Sequence, residues 1–452
     1  MFALPGGQLD HLFDAMYKEG DGLRVIHSRH EQGVAYMAYG FARSTGRPGV
    51  YGVVPGPGLL NSSAALCTAW GNSTPVLCIS GQIPSTSIGK GYGELHEIDD
   101  QLGMIRHITK WAQRIEHPAQ APQLVREAMR QLRTGRPRPV ELEMAMDIMG
   151  MEAAVDLLQP DTEYPPPPVD PDRVAEAARI LGRAEHPLIV VGSGAINAAG
   201  EVRAIAERLQ APVLGKRNGK GVLSARHGLS VNIPVGHALW ARADAVLAVG
   251  TRLKEPLTQW GKDDDLKLVR IDIDAVEIAR ICRPEVGMVG DAAATLAVLH
   301  EALEGQVVRR RTPSDELAQL KAQFDEEVRR KVAPQMAYLD AIRSVLPEDG
   351  IFVDEITQVG FVSWYGFPVY APRQHVTVSE MGTLGFGFPT ALGAAVGNPG
   401  RKVVQISGDG GFMFNVQELS TAVQFAVDIV TIIFNDNKYG NVQRLQDECF
   451  EG

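Results

Sequence analysis

Short, unbroken apolar runs alternate with helix-period segments along the whole of this chain. That alternation restricts it to parallel sheets covered by helices on both faces. PGVYGVV and PVLCISG read as strands, and the neighbouring GVAYMAYGFARST and SSAALCTAWGN read as helices. HPLIVVGSGA, ADAVLAVGTRL and KLVRIDID repeat the strand pattern after the helical PDRVAEAARILGRA. GIFVDE, HVTVSE, KVVQISGDG and DIVTIIFND repeat it again. Two stretches break the rhythm. QPDTEYPPPPVDPD (Gln159–Asp172) is too proline-rich for a helix or a central strand, and EGQVVRRRTPSDE (Glu304–Glu316) is polar with a run of charge. The predicted organisation is three doubly wound α/β domains, at residues 1–155, 170–304 and 330–452. In such sheets ligands sit beyond the carboxyl ends of the strands.

Composition narrows the classes of function. Hydrophobic residues make up 45% and charged residues 22% of the 452, as in a folded rather than a disordered chain. The formal net charge is −10 and no long basic run is present, which argues against a nucleic-acid partner. Cys67, Cys78, Cys282 and Cys449 form no CxxC pair. Neither a zinc site nor a disulfide framework is expected, and a cytoplasmic location fits best. No apolar run reaches membrane-spanning length, so no membrane association is predicted. The leading MFALPGGQLD lacks the basic and apolar regions of a signal peptide.

The stretch GDGGFMFNVQELSTAVQFAVDIVTIIFNDN (Gly408–Asn437) carries the strongest chemical signal. Asp409 follows one predicted strand, and Asn435, Asp436 and Asn437 follow the next. In a right-handed βαβ unit both strand ends fall on the same edge of the sheet, so the two polar clusters converge. Oxygen ligands gathered at a strand edge suit a hard cation such as Mg²⁺ or Ca²⁺. Gly408, Gly410 and Gly411 allow the backbone close to a phosphate group.

This passage resembles the thiamine-diphosphate fingerprint, a GDG followed at a distance by an asparagine pair. Nearly the whole chain resembles the acetolactate synthase-like superfamily, which includes pyruvate and benzoylformate decarboxylases, pyruvate oxidase and glyoxylate carboligase. The resemblance implies pyrimidine-binding, middle and diphosphate-binding domains, in that order. It makes Asp409 and Asp436 side-chain ligands of Mg²⁺, with the carbonyl of Lys438 as a third. Relatives usually carry Asn where Asp436 stands, and Asn435 or Asn437 could substitute as ligand. Relatives also begin earlier and continue well past the asparagine motif, which implies that a C-terminal part of the third domain is missing here.

The first segment resembles the family in SRHEQGVAYMAYG and VPGPGLLN. Glu31 is implied to hydrogen-bond N1′ of the aminopyrimidine and to favour its imino tautomer, the internal base of the cofactor. Pro55, Gly58 and Asn61 are implied to line the same pocket. In SEMGTLGFGFPTALGAA, Leu384 is implied to prop the cofactor into a V shape and Gly382 to offer a carbonyl. Ile356, Thr357 and Gln358 of VDEITQ stand where relatives hold the diphosphate. The family pairs the glutamate-bearing domain of one chain with the diphosphate domain of another, which implies a homodimer or homotetramer.

Thiamine diphosphate supplies an electron sink next to a former carbonyl, so the implied substrates are 2-oxo acids or related 2-hydroxyacyl compounds. Three readings follow. RHEQG, GQIPSTSIG and NGKG agree with an acetolactate synthase-like carboligase. His96 of LHE stands where those enzymes carry Gln, their substrate arginine falls near Pro256, and their tryptophan falls near Leu445, which keeps a nonoxidative, benzoylformate-type decarboxylase open. His96 is then a proton donor that decides the product, and Glu97 beside it is an open candidate. SVNIPVGHALWA lacks the Met- and Gly-rich stretch that holds FAD, so no FAD is expected. A catalytically silent scaffold is the third reading, and Glu31 and Asp409 argue against it.

Overall fold

The computed structural model describes residues 1–161, 163–306 and 314–450. Thr162 of the first predicted linker and residues 307–313 of the second lie outside the described residues. The chain divides into two compact units, one built from Met1–Tyr164, Ile351–Thr357 and Val376–Gly452, the other from Pro165–Gly350 and Gln358–His375.

Three sheets, with every recorded strand pair parallel, form the layers, as the alternating pattern predicts. The first contains β1 (Phe2–Ala3), β2 (Ile26–His27), β3 (Gly49–Val53), β4 (Val76–Gln82), β5 (Trp111–Ile115) and β6 (Val140–Ala145), in the order β2-β1-β3-β4-β6-β5. The second contains β7 (Pro187–Val191), β8 (Val213–Gly215), β9 (Ser230–Val231), β10 (Ala245–Val249), β11 (Lys267–Asp272) and β12 (Val286–Val289), in the order β12-β11-β10-β7-β8-β9. Every residue of β7 and β10 is buried, as central strands covered on both faces require. The third sheet is β14-β13-β15-β16, made of β13 (Ile351–Val353), β14 (His375–Val376), β15 (Val403–Gly408) and β16 (Val430–Phe434).

Each sheet has a point where the strand order reverses, the usual crevice for a ligand in an open α/β sheet. It lies between β1 and β3, between β7 and β10, and between β13 and β15.

Three elements depart from the sequence expectation. HVTVSE yields only His375–Val376 as strand, because the chain turns at Ser379, whose φ is +57°. VQELSTAVQFA, whose pattern reads as a single helix returning between the two strands, is a 3-10 turn at Val416–Glu418 and a short helix, Leu419–Gln424. The run IVTIIF was expected to be buried, yet Val430 and Ile433 of β16 are 52% and 43% exposed. Among the described residues β16 pairs with β15 alone, and its apolar side chains are only partly covered.

In the first unit one core joins residues far apart in sequence. Val34, Met37 and Tyr39 share it with Val353, Phe386 and Leu392. The helix Glu31–Thr45 crosses the helix Gly387–Gly397 backbone against backbone. A Cβ on Gly40 would overlap the carbonyl of Thr390, and one on Gly393 would overlap that of Met37.

Candidate functional site

Glu31 is the first residue of its helix, after His30, whose Nδ1 accepts the amide N–H of Gln32. Its carboxylate faces the helix Pro57–Gly71, where Asn61 Nδ2 donates to Glu31 Oε2 at 3.1 Å. A Cβ on Gly58 would lie 3.5 Å from Glu31 Oε1 and 2.6 Å from Val54 Cγ2, so glycine keeps the approach to the carboxylate open. Pro55 ends the β3 turn, with its Cδ against Gly81. Glu31, Pro55, Gly58 and Asn61 therefore share one end of the first sheet, beside its reversal point.

At Gly56, φ +55°, an added Cβ would lie 2.3 Å from the carbonyl oxygen of His96. This seats the His96 loop against the PGPG turn. His96 is itself at φ +72°, and its Nδ1 is buried without a hydrogen-bond partner among the described residues. Glu97 has a different task. Its carboxylate accepts the N–H groups of Gly91, Gly93 and Glu94 at 3.0, 2.7 and 2.9 Å, which closes the glycine loop and holds its pKa low. Gln101 was not foreseen. Its Oε1 accepts Gly56 N–H at 2.8 Å, and its Nε2 donates to Gly81 O and Glu143, pinning the turn from within.

At the third sheet the register decides the geometry. Gly408 of β15 pairs with Phe434 of β16, so Asp409 and Asn435 leave the sheet edge side by side. Asn435 Oδ1 accepts Asn437 N–H at 2.9 Å, and Asp436 Oδ1 accepts Lys438 N–H at 3.3 Å. This turn gathers Asp436 and the Lys438 peptide at the same edge as Asp409. Gly410 lies beneath Tyr439, with a Cβ there 2.7 Å from its ring. Ile356 and Thr357 follow β13, with a Gly408 Cβ 3.7 and 3.8 Å away. Gln358 opens the helix Gln358–Gly366 and belongs to the second unit. Gly382 is at φ +60° with nothing within 4 Å of a Cβ position, and Leu384, two residues on, is half-buried.

Two buried acids hold these loops. Glu355 accepts N–H groups from Gly385 at 2.5 Å and Gly387 at 3.2 Å, and the Ser407 hydroxyl at 2.7 Å. It ties the Leu384 loop to the strand that delivers Gly408, and it packs on Gly411. Burial pushes its carboxyl up to about 7, against the opposing effect of those hydrogen bonds. Glu418 accepts the N–H groups of Arg29 and His30, both at 3.1 Å, and the Thr421 hydroxyl, and burial raises its pKa. It fixes the entry to the Glu31 helix across 388 positions of sequence. An acid immediately after an apolar strand was the one available signal for Glu355. Glu418 lay in a segment that reads as an ordinary amphipathic helix.

The residues present fit thiamine diphosphate. The glycine cradle at Gly408 leaves space for a diphosphate, Leu384 offers an apolar prop, and Glu31 has one carboxylate oxygen toward the open side of Gly58. Among the described residues no three His, Cys, Asp or Glu side chains cluster as a metal site. The expected set contains only two carboxylates, and a Mg²⁺ bound with a diphosphate draws its other oxygens from phosphate, water and backbone. Among the described residues no helix is long and apolar enough to cross a membrane.

Residues 1–104 match the N-terminal TPP binding domain of thiamine pyrophosphate enzymes, residues 174–299 the central domain, and residues 355–452 the C-terminal TPP binding domain. The chain is 34% identical to a probable 2-ketoarginine decarboxylase of Pseudomonas aeruginosa, over 98% of this chain and 80% of that protein. It is 32% identical to a probable acetolactate synthase large subunit of Methanocaldococcus jannaschii, over 99% of this chain and 79% of that one. It is 30% identical to the acetolactate synthase isozyme 1 large subunit of Escherichia coli, over 99% of this chain and 81% of that one. With three matched domains in the family's order on three parallel α/β sheets, this chain belongs to the thiamine pyrophosphate enzymes and is an acetolactate synthase-like catalyst that forms or cleaves carbon–carbon bonds.

Proposed function

We propose that the chain joins 2-oxo acids by carboligation, with thiamine diphosphate held through Mg²⁺ at Asp409, Asp436 and the Lys438 carbonyl. The observation that supports this reading is the β15–β16 register, in which Asp409 follows Gly408 and Asn435 follows its partner Phe434 at one edge of the third sheet, with β15 flanking the reversal point. Bound there, the cofactor supplies an electron sink for the carbon next to a carbonyl. The chain's own residues do the rest. Glu31 hydrogen-bonds the pyrimidine ring and holds its proton, with Asn61 keeping the carboxylate in place. Pro55 and Gly58 shape that pocket. Gly382 and Leu384 set the ring orientation. Ile356, Thr357, Gln358, Gly408, Gly410 and Gly411 approach the diphosphate with backbone or short side chains. A homodimer or homotetramer that brings Glu31 of one chain to Asp409 of another belongs to the same proposal, as does the division into domains at 1–155, 170–304 and 330–452.

The test is a panel of 2-oxo acids with products identified by mass spectrometry. Acyloin or acetohydroxy acid products support carboligation, and turnover of none of the panel overturns the reading. Glu31→Gln should keep the fold while slowing exchange of the cofactor C2 proton by about 10²–10⁴-fold, the usual contribution of an acid–base group. Unchanged exchange, followed by NMR, would remove Glu31 from its assigned role.

A second reading, decarboxylation with release of an aldehyde, is favoured by His96. Its buried Nδ1 has no hydrogen-bond partner among the described residues, and an imidazole can give up a proton where the Gln of carboligating relatives cannot. His96→Gln should lower the ratio of aldehyde to acyloin with cofactor affinity nearly unchanged. A constant ratio would make His96 a loop residue only.

A further inference from the structure

The second unit contains a cavity of about 430 Å³ that none of the residues proposed to hold the cofactor or metal lines. It lies at the β8–β9 edge of the middle sheet, beneath the helix Ser314–Lys331 and beside the end of the helix Gln358–Gly366. None of the residues assigned to thiamine diphosphate lines it, and neither do the middle-sheet glycines Gly192, Gly194 and Gly250. Its size falls within the range of small-molecule sites.

Its walls are mixed, with Val213, Val231, Val235, Trp364 and Phe367 among the apolar residues that line it. The charges at its mouth are unequally matched. Arg329 is bound by Asp325 at 2.8 Å and by Asp340. Lys220 Nζ donates to the Ser363 carbonyl at 2.8 Å. Lys321 has only a long 3.3 Å hydrogen bond to the Gly228 carbonyl, and among the described residues no carboxylate forms an ion pair with it. Burial alone lowers its pKa, as expected of a half-buried ammonium without a counter-charge.

We propose that this cavity binds a small organic carboxylate with a branched or aromatic apolar part. The carboxylate sits on Lys321, and the apolar part packs against Val213, Val231, Val235 and Phe367. A monoanion matches the Lys321 ammonium, which meets no carboxylate among the described residues. A phosphate dianion would meet Asp325 and Asp340 across the same mouth, and like charges at short range are costly.

The experiment uses the full chain with thiamine diphosphate and Mg²⁺ bound, and 4-(trifluoromethyl)benzoate as probe, read by ¹⁹F NMR. Saturable binding is expected, at least about ten-fold weaker in Lys321→Gln, since a hydrogen bond to a charged group contributes that much or more. Lys321→Arg should restore it, and Val235→Trp, which fills the cavity, should abolish it. The neutral 4-(trifluoromethyl)benzyl alcohol should bind at least about ten-fold more weakly than the benzoate, and inorganic phosphate should not compete. No saturable binding overturns the proposal. So does binding that survives both Lys321→Gln and Val235→Trp, which would place the probe elsewhere, or competition by phosphate. These outcomes do not depend on which 2-oxo acid the enzyme turns over.

Discussion

The reversal points of the middle and third sheets both carry glycine-rich turns, GSG after β7 and GDG after β15, and they use glycine in opposite ways. In the middle sheet the glycines meet each other. A Cβ on Gly194 would lie 2.6 Å from Gly250 Cα, and Gly194 N–H donates to the Gly250 carbonyl at 3.0 Å. The turn is closed by backbone packing, and buried Arg270 locks it by donating to the Thr251 carbonyl at 2.9 Å. In the third sheet a Cβ on Gly408 would meet nothing nearer than 3.7 Å, and the lock is an acid, Glu355. The two motifs thus differ at their leading glycines: the middle-sheet turn packs backbone on backbone, whereas Gly408 is open although Gly410 packs on Tyr439.

Substitutions can break this comparison. The largest effect is expected from Asp409→Ala, which should abolish metal-dependent binding of thiamine diphosphate while the protein stays folded, as calorimetry with and without Mg²⁺ would read. Retained Mg²⁺-dependent binding would refute the ligand set. Asp436→Asn should be tolerated far better, because it keeps an oxygen donor, and equal damage would refute the set in the same way.

Next comes Gly194→Ala, expected to cost about 1–3 kcal/mol of stability through overpacking, read by denaturant unfolding. Gly408→Ala should leave stability within about 0.5 kcal/mol yet weaken cofactor binding about ten-fold. If the two alanines behave alike, the distinction between a packing glycine and a ligand glycine fails.

The smallest effect is a slope. Glu355 holds its proton in the folded state up to about pH 7, whereas the unfolded chain loses it near the ordinary carboxylate value. The folded state binds the extra proton in that window, so stability falls as pH rises through it, by about 1 kcal/mol from about pH 6 to about pH 7.5. The raised pKa of Glu418 contributes in the same direction. Glu355→Gln should flatten the slope, and an unchanged slope would discard Glu355 as its source.

How much of this was legible in the sequence depends on the range of the interaction. Strands such as β7 and β10 are written in five consecutive apolar residues, and the GDG and NDN clusters lie at strand ends that local pattern locates. The PGPG turn was readable, but Gln101, which pins it from 45 positions away, was not. The carboxylates of Glu355 and Glu418 were not legible as buried groups, because each accepts two backbone amides, which leave no trace in side-chain pattern, besides one hydroxyl. The exposure of β16 was missed because apolar content reports what a strand is made of and not what covers it.

The crossing at Gly40 and Gly393 bears on how the molecule is made. The Glu31 helix is translated early, but the backbone it rests on is translated some 350 positions later. Domains commonly fold in order of synthesis. Here the first sheet emerges with the apolar face of that helix, including Val34 and Met37, still lacking its cover, and it waits through the whole middle unit. The nascent chain therefore carries an open hydrophobic surface for most of its time on the ribosome. A chaperone that recognises such surfaces should bind it during synthesis and leave once residues beyond Gly393 are out.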